Sequence, residues 1–134
     1  MMPVKVAGLC PLLQVFDMPI SIAFYCGVVG FEIAMQSRPG DQFDWALLRM
    51  GATELMLNTA YEADARPAAR DAARQGAHGD TGLYFHCADL DEAYEYLRSH
   101  GVAAEKPAVR VYGMKQLNFR DPDGYELCFQ HEVK

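Results

Sequence analysis

Two stretches of this chain share one grammar, and that constrains the fold more than any single element does. Residues 12–25 read LLQVFDMPISIAFY and residues 84–97 read YFHCADLDEAYEYL. Each is a short alternating strand that ends in an aspartate, Asp17 or Asp89, and runs into a helix with an apolar stripe. Aligned on those aspartates, Leu13 falls on Phe85, Val15 on Cys87, Met18 on Leu90 and Phe24 on Tyr96. A repeat of this size means that one supersecondary unit has been used twice, and neither copy can bury its apolar face alone.

The helix starts have a mechanism. Asp89 is placed to accept amide hydrogens of the first turn, with Glu92 three residues on in a capping-box position. Leu90, Ala93, Tyr94 and Leu97 then share one face, and Gly101 after His100 supplies the stop. His100 itself stands where a helix C-terminus favours it. In the first copy Asp17 takes the cap and Pro19 sits in the first turn, where no amide hydrogen is needed.

Strand-like pieces follow each helix: 31–35, 45–50 and 54–57 after the first, then 108–112, 116–119 and 125–130 after the second. Gly51 and the DPDG turn at 121–124 break the hairpins. The expected fold is therefore α+β: two βαβββ modules, at about 4–60 and 80–131, in one domain over 1–134. They are expected to form a curved mixed eight-stranded sheet with a central cleft. The polar, alanine-rich run EADARPAARDAARQG lies in the linker at about 61–79, an exposed crossover with Pro67 placed to open a short helix.

Composition narrows the function classes. Twelve basic against eighteen acidic residues give a net charge of −6, which disfavours non-specific binding to nucleic acid or anionic membranes. No stretch has the roughly 20 apolar residues that cross a bilayer. The N-terminal run alternates like a strand and lacks a cleavage site, so a signal peptide is not expected. Cysteines at 10, 26, 87 and 128 form no CxxC pair and read as reduced thiols of a cytoplasmic protein.

The signature DMPISIAFYCGVVGF at 17–31, with DPDGYEL at 121–127, resembles the vicinal oxygen chelate superfamily. Its members include glyoxalase I, extradiol dioxygenases, bleomycin-binding proteins and fosfomycin-resistance enzymes, and the resemblance runs from about Val6 to Gln130. The motif residues also have a plain physical reading. Ser21 and Tyr25 share a helix face, Gly30 ends the helix, and Asp121, Pro122 and Gly124 build a turn.

The resemblance implies four metal ligands, two from each half, at matching strand positions. Carried over, they fall on Cys10, Glu54, Gly82 and Cys128, so only Glu54 keeps a ligand of the expected type. An octahedral Ni²⁺, Mg²⁺ or Mn²⁺ site wants imidazole and carboxylate. No cofactor is therefore expected. A zinc ion held by the two thiols and Glu54 is the alternative, and packing at the cleft floor is the plainer role for the cysteines.

Alternation supplies the cleft lining instead. Leu12 and Gln14 share a face with Cys10; Glu126 and Gln130 share one with Cys128; Tyr84 and His86 share one with Gly82. The expected ligand-binding residues are Gln14, Glu54, Tyr84, His86 and Gln130, with Glu54, His86 and Tyr84 the candidates for any catalytic role. Arg38, Arg49 and Arg110 are possible partners of Glu54, whereas Lys115 points the other way. Trp45 either joins the cleft rim beside the 37–44 loop or fills the sheet–helix core, and His78 and His131 are expected to face solvent.

These residues suit a metal-independent binding protein of the bleomycin-resistance type, acting on a small organic ligand and assembled as a homodimer. Two alternatives stand beside it: a lyase, isomerase or dioxygenase using Glu54 with or without a metal, and a regulatory or partner-binding module.

Overall fold

A computed structural model describes residues 2–134. The chain divides into two compact units, Met1–Arg66 and Pro67–Lys134. In unit 1, β1 (Leu12–Val15) leads into α1 (Met18–Ile22), followed by β2 (Glu32–Gln36), β3 (Trp45–Met50) and β4 (Thr53–Thr59). In unit 2, α2 (Ala72–His78) precedes β5 (Gly82–His86), α3 (Leu90–Ser99), β6 (Ala108–Val109), β7 (Met114–Arg120) and β8 (Glu126–Glu132).

The α+β class and the two βαβββ modules hold, and the eight strands are hydrogen-bonded as two four-stranded sheets. Their orders, β1-β4-β3-β2 and β5-β8-β7-β6, are the same topology written twice. In each, the first strand runs parallel to the last and the other pairs are antiparallel. The repeat seen in sequence is thus a repeat of topology.

Each helix covers one sheet face, α1 against β4 and α3 against β7. Leu13, Val15, Ala46, Leu48, Leu55 and Leu57 are buried with Met18, Ser21 and Tyr25 in unit 1. In unit 2, Leu117, Phe119 and Leu127 are buried with Leu90 and Leu97, and Phe129 meets Phe85 and Phe119 edge to face. Both aspartate caps form: Asp17 Oδ1 accepts from Ile20 N at 3.3 Å and Asp89 Oδ1 from Glu92 N at 3.0 Å.

Several expectations need correction. The alternating run before Leu12 is no strand; Val4, Val6 and Leu9 are exposed, so alternation there finds no sheet to face. Beyond Ile22 the first helix continues as a π-helix over Ala23–Val29, and Tyr25 O accepts from both Gly30 N and Phe31 N at its end. The strand expected over 108–112 stops at Val109, because Arg110 to Gly113 close a turn. The linker helix is opened by Asp71, whose Oδ1 accepts from Ala73 N and Arg74 N, and not by Pro67.

That helix is anchored. Gln75 Nε2 donates to Pro122 O at 3.0 Å and Arg70 pairs with the buried Asp123 at 2.8 Å. His78 does not face solvent either: its ring stacks on Tyr125 at 4.0 Å and Nδ1 lies 2.8 Å from Asp123 O. His131 is half-buried, with Nδ1 2.8 Å from Glu132 O.

Candidate functional site

The faces turned away from the helices carry the chemistry. On unit 1, β1 contributes Leu12 and Gln14, β4 contributes Glu54, Met56 and Asn58, and β3 contributes Trp45, Leu47 and Arg49. These alternate with the buried residues above, and the ladders set them side by side: Leu12 with Met56, Gln14 and Trp45 with Asn58, Arg49 with Glu54. Trp45 therefore belongs to the open face and not to the sheet–helix core, since its neighbours Ala46 and Leu48 take the buried side.

Two polar links cross this apolar face. Asn58 Nδ2 donates to Gln14 Oε1 at 3.4 Å. Arg49 donates to Glu54 Oε2 through Nε at 3.1 Å and Nη2 at 2.7 Å, so Arg49 is the partner of Glu54. Arg38 instead pairs with Asp44, and Lys115 with Asp91. Cys10 lies just before β1, and its thiol is pushed up by desolvation and then by the negative charge of Glu54.

On unit 2 the open face holds Gly82, Tyr84 and His86 from β5, Glu126, Cys128 and Gln130 from β8, and Gln116 and Asn118 from β7. Tyr84 and His86 are exposed, and the His86 ring makes no hydrogen bond among the described residues, although its backbone lies in the β5–β8 ladder. A Cβ on Gly82 would lie 3.1 Å from Tyr84 Cε1, so the phenol ring rests over the glycine. Desolvation raises the Tyr84 hydroxyl pKa, with smaller contributions from Cys128, Glu126 and Tyr112.

Gln116 is buried and bonded on both sides. Its Oε1 accepts from Arg110 Nε at 3.3 Å and from Tyr112 Oη at 2.9 Å, while its Nε2 donates to Gln130 Oε1 at 2.9 Å. Beside this network Cys128 is wholly buried. Its thiol is raised chiefly by burial, lowered by a backbone hydrogen bond from Leu117, raised by Glu126 and lowered by Arg110.

The ladders revise the inferred metal positions. Aligned on the two aspartates, Leu12 matches Tyr84; Leu12 pairs with Met56 and Tyr84 with Cys128. Met56 is therefore the counterpart of Cys128, and Glu54 that of Glu126. Glu54 and Cys128 are not matching positions. The set matched about Cys128 is Cys10, Met56, Gly82 and Cys128, which holds neither carboxylate nor imidazole. Such donors do not fit an octahedral divalent ion. Among the described residues no three His, Cys, Asp or Glu side chains gather as a metal-binding group.

Unit 1 also has a cavity of about 550 Å³ beyond the end of β4. Phe16, Asp17, Phe43, Asp44, Tyr61 and Arg66 are among the residues lining it, and Arg66 lies 3.3 Å from Asp17 and over the Phe16 ring. None of the five expected ligand-binding residues lines it. Of those five, Gln14 and Glu54 share the open face of unit 1, and Tyr84, His86 and Gln130 that of unit 2. Asn58, Tyr112 and Gln116 were not singled out from sequence, although alternation outward from Gln130 and Gln14 would have reached them once the pairing register was known.

Comparison with known proteins fits this architecture. The sequence model described as Glyoxalase/Bleomycin resistance protein/Dioxygenase superfamily matches residues 7–129. The uncharacterized protein YaeR of Escherichia coli (strain K12) is 34% identical over 116 residues, which span 83% of this chain and 84% of YaeR. Among solved structures, the antibiotic binding protein TnmS3 from Streptomyces sp. CB03234 superposes with a TM-score of 0.71 at 23% identity, covering 99% of this chain and 100% of its own. Lactoylglutathione lyase from Agrobacterium tumefaciens gives 0.68 at 22% identity, covering 95% of this chain and 94% of its own. A binding protein and an enzyme thus share one scaffold with this chain, and the scaffold does not choose between them.

Proposed function

The chain belongs to the glyoxalase/bleomycin resistance protein/dioxygenase superfamily, and on that premise we propose that it is a small-molecule-binding protein that works without a divalent metal. The observation that carries this reading is the ladder register, which puts Met56 opposite Leu12 as the counterpart of Cys128. Glu54, the one carboxylate carried over from the family pattern, is held by Arg49. With Oε2 already engaged by two guanidinium N–H groups, Glu54 suits a binding contact better than a general base, which favours this reading over the enzyme alternative.

Binding then rests on the open faces, through Gln14 and Glu54 in unit 1 and Tyr84, His86 and Gln130 in unit 2, set among apolar neighbours such as Leu12 and Met56. Sequestration of a small organic compound is the role this arrangement suits. The protein acts as a homodimer in the cytoplasm, a setting in keeping with four unpaired cysteines. Among the described residues no helix is long and apolar enough to cross a membrane.

A thermal-shift screen of a small-molecule library, run with and without EDTA, tests the reading. It expects at least one compound to raise the melting temperature equally in both. Stabilisation that vanishes with EDTA, or a library with no binder, would sink it.

A further inference from the structure

The hydrogen bonds around Gln116 have a direction, and the chemistry of Arg110 fixes it. A guanidinium only donates, so the Gln116 atom facing Arg110 Nε at 3.3 Å has to be the amide oxygen. Gln116 Nε2 then has to donate at 2.9 Å, so the Gln130 atom it meets is oxygen. The Gln130 NH2 group makes no hydrogen bond among the described residues. The acceptors are consumed inside the network and donors are left over.

Arg110 spends only Nε on this network. Its Nη groups make no hydrogen bond and no ion pair among the described residues; Glu126 and Glu132 share the open face with Gln130, yet neither pairs with it. The turn that carries Arg110 is tight. Arg110 N donates to Met114 O at 2.8 Å and Gly113 N to Arg110 O at 3.0 Å, with Gly113 at φ +85°. Gln116, only 6% exposed, holds the base of the guanidinium. The cation is thus partly preorganised before any ligand arrives, which lowers the ordering cost of binding.

We propose that Arg110 and Gln130, bracketed by Gln116, form an anion subsite on the open face of unit 2, and that the ligand is a small organic carboxylate. This rests on the small-molecule reading above and gives the ligand its charge. The Nη groups meet the carboxylate oxygens, Gln130 Nε2 supplies a further donor, and the exposed ring of Tyr84 on the same face offers an apolar surface to the ligand's body. The net charge of −6 is no obstacle, because local donors and not the whole-chain balance meet the ligand.

Three probes of one shape and different charge test it: benzoate, benzamide and benzamidinium, titrated into isotope-labelled protein at fixed ionic strength and followed by NMR. Benzoate should bind on the order of tenfold more tightly than benzamide, shifting the Gln130 side-chain amide and the Arg110 Nε–H. Benzamidinium should leave both signals in place. Arg110→Met should bring benzoate down to the affinity of benzamide, with Arg110→Lys in between and both variants giving folded spectra. Equal binding of all three, a preference for benzamidinium, undiminished benzoate binding in Arg110→Met, or no response to any probe would overturn the subsite. Charge-blind binding would leave the small-molecule reading intact, whereas that reading fails if a broad library yields no ligand or if binding is lost with EDTA.

Discussion

At the scale of the residue, the positions matched to the family's metal ligands carry few donors suited to a divalent ion. Gly82 offers no donor, and Tyr84 lies over it. Because that ring is exposed it can swing aside, so Gly82→Ala should change stability by no more than about 1 kcal/mol in urea denaturation. A much larger loss would mean that Tyr84 is pinned. The thiols are equally informative. Burial raises the pKa of Cys10, Cys26, Cys87 and Cys128, so none is an activated thiolate. Unfolding lets these thiols ionise at lower pH than the folded chain does. Their contribution to stability is therefore complete below the unfolded thiol pKa and is lost as pH rises through the folded values. Denaturation midpoints should fall across the alkaline range, and iodoacetamide should label buried Cys128 last. Labelling of Cys128 ahead of Cys10 would contradict this. From sequence alone Glu54 could be named but its partner could not, because choosing Arg49 over Arg38 and Arg110 needs the β3–β4 register.

At the scale of the element, local signals were readable and long-range ones were not. Asp17 and Asp89 cap their helices because a carboxylate beside orphan amides is a neighbouring interaction. The anchoring of α2 is different in kind. Arg70, Gln75 and His78 find Asp123, Pro122 and Tyr125 about fifty positions away, and nothing in an alanine-rich run announces that. The DPDG turn is consequently more than a turn. Asp121 Oδ1 accepts from Asp123 N and Tyr125 N, and Gly124 sits at φ +87° with Gln75 O only 2.6 Å from where a Cβ would stand. Gly124→Ala should cost about 3 kcal/mol, from left-handed strain plus a backbone clash. Gly51→Ala, at φ +58° with open space around it, should cost only about 1 kcal/mol. Equal melting temperatures for the two variants would show that the turn does not bear on α2.

At the scale of the whole molecule, the repeat made the topology readable, because the same strand–helix grammar returned as the same sheet order. The candidate site was readable only by half. Gln14, Tyr84, His86 and Gln130 land on open faces by simple alternation, yet the count of residues between β1 and β4 does not fix which side chain stands beside which. That is how Glu54 came to be matched with Cys128, when the ladders match Met56. Edge strands β2 and β6 and exposed Leu12, Met35 and Tyr84 give the reason to expect a homodimer. Light scattering at micromolar concentration should give twice the chain mass of 14.9 kDa, and the monomer mass alone would refute it.

The central claim is that this protein recognises its ligand without a divalent ion, and elemental analysis of protein purified without chelator or metal-affinity resin tests it most directly. The account predicts no stoichiometric nickel, zinc, manganese or magnesium, and the same result for Glu54→Gln. About one metal ion per chain, lost on Glu54→Gln or on replacing Cys10 and Cys128, would contradict it and turn those side chains into ligands.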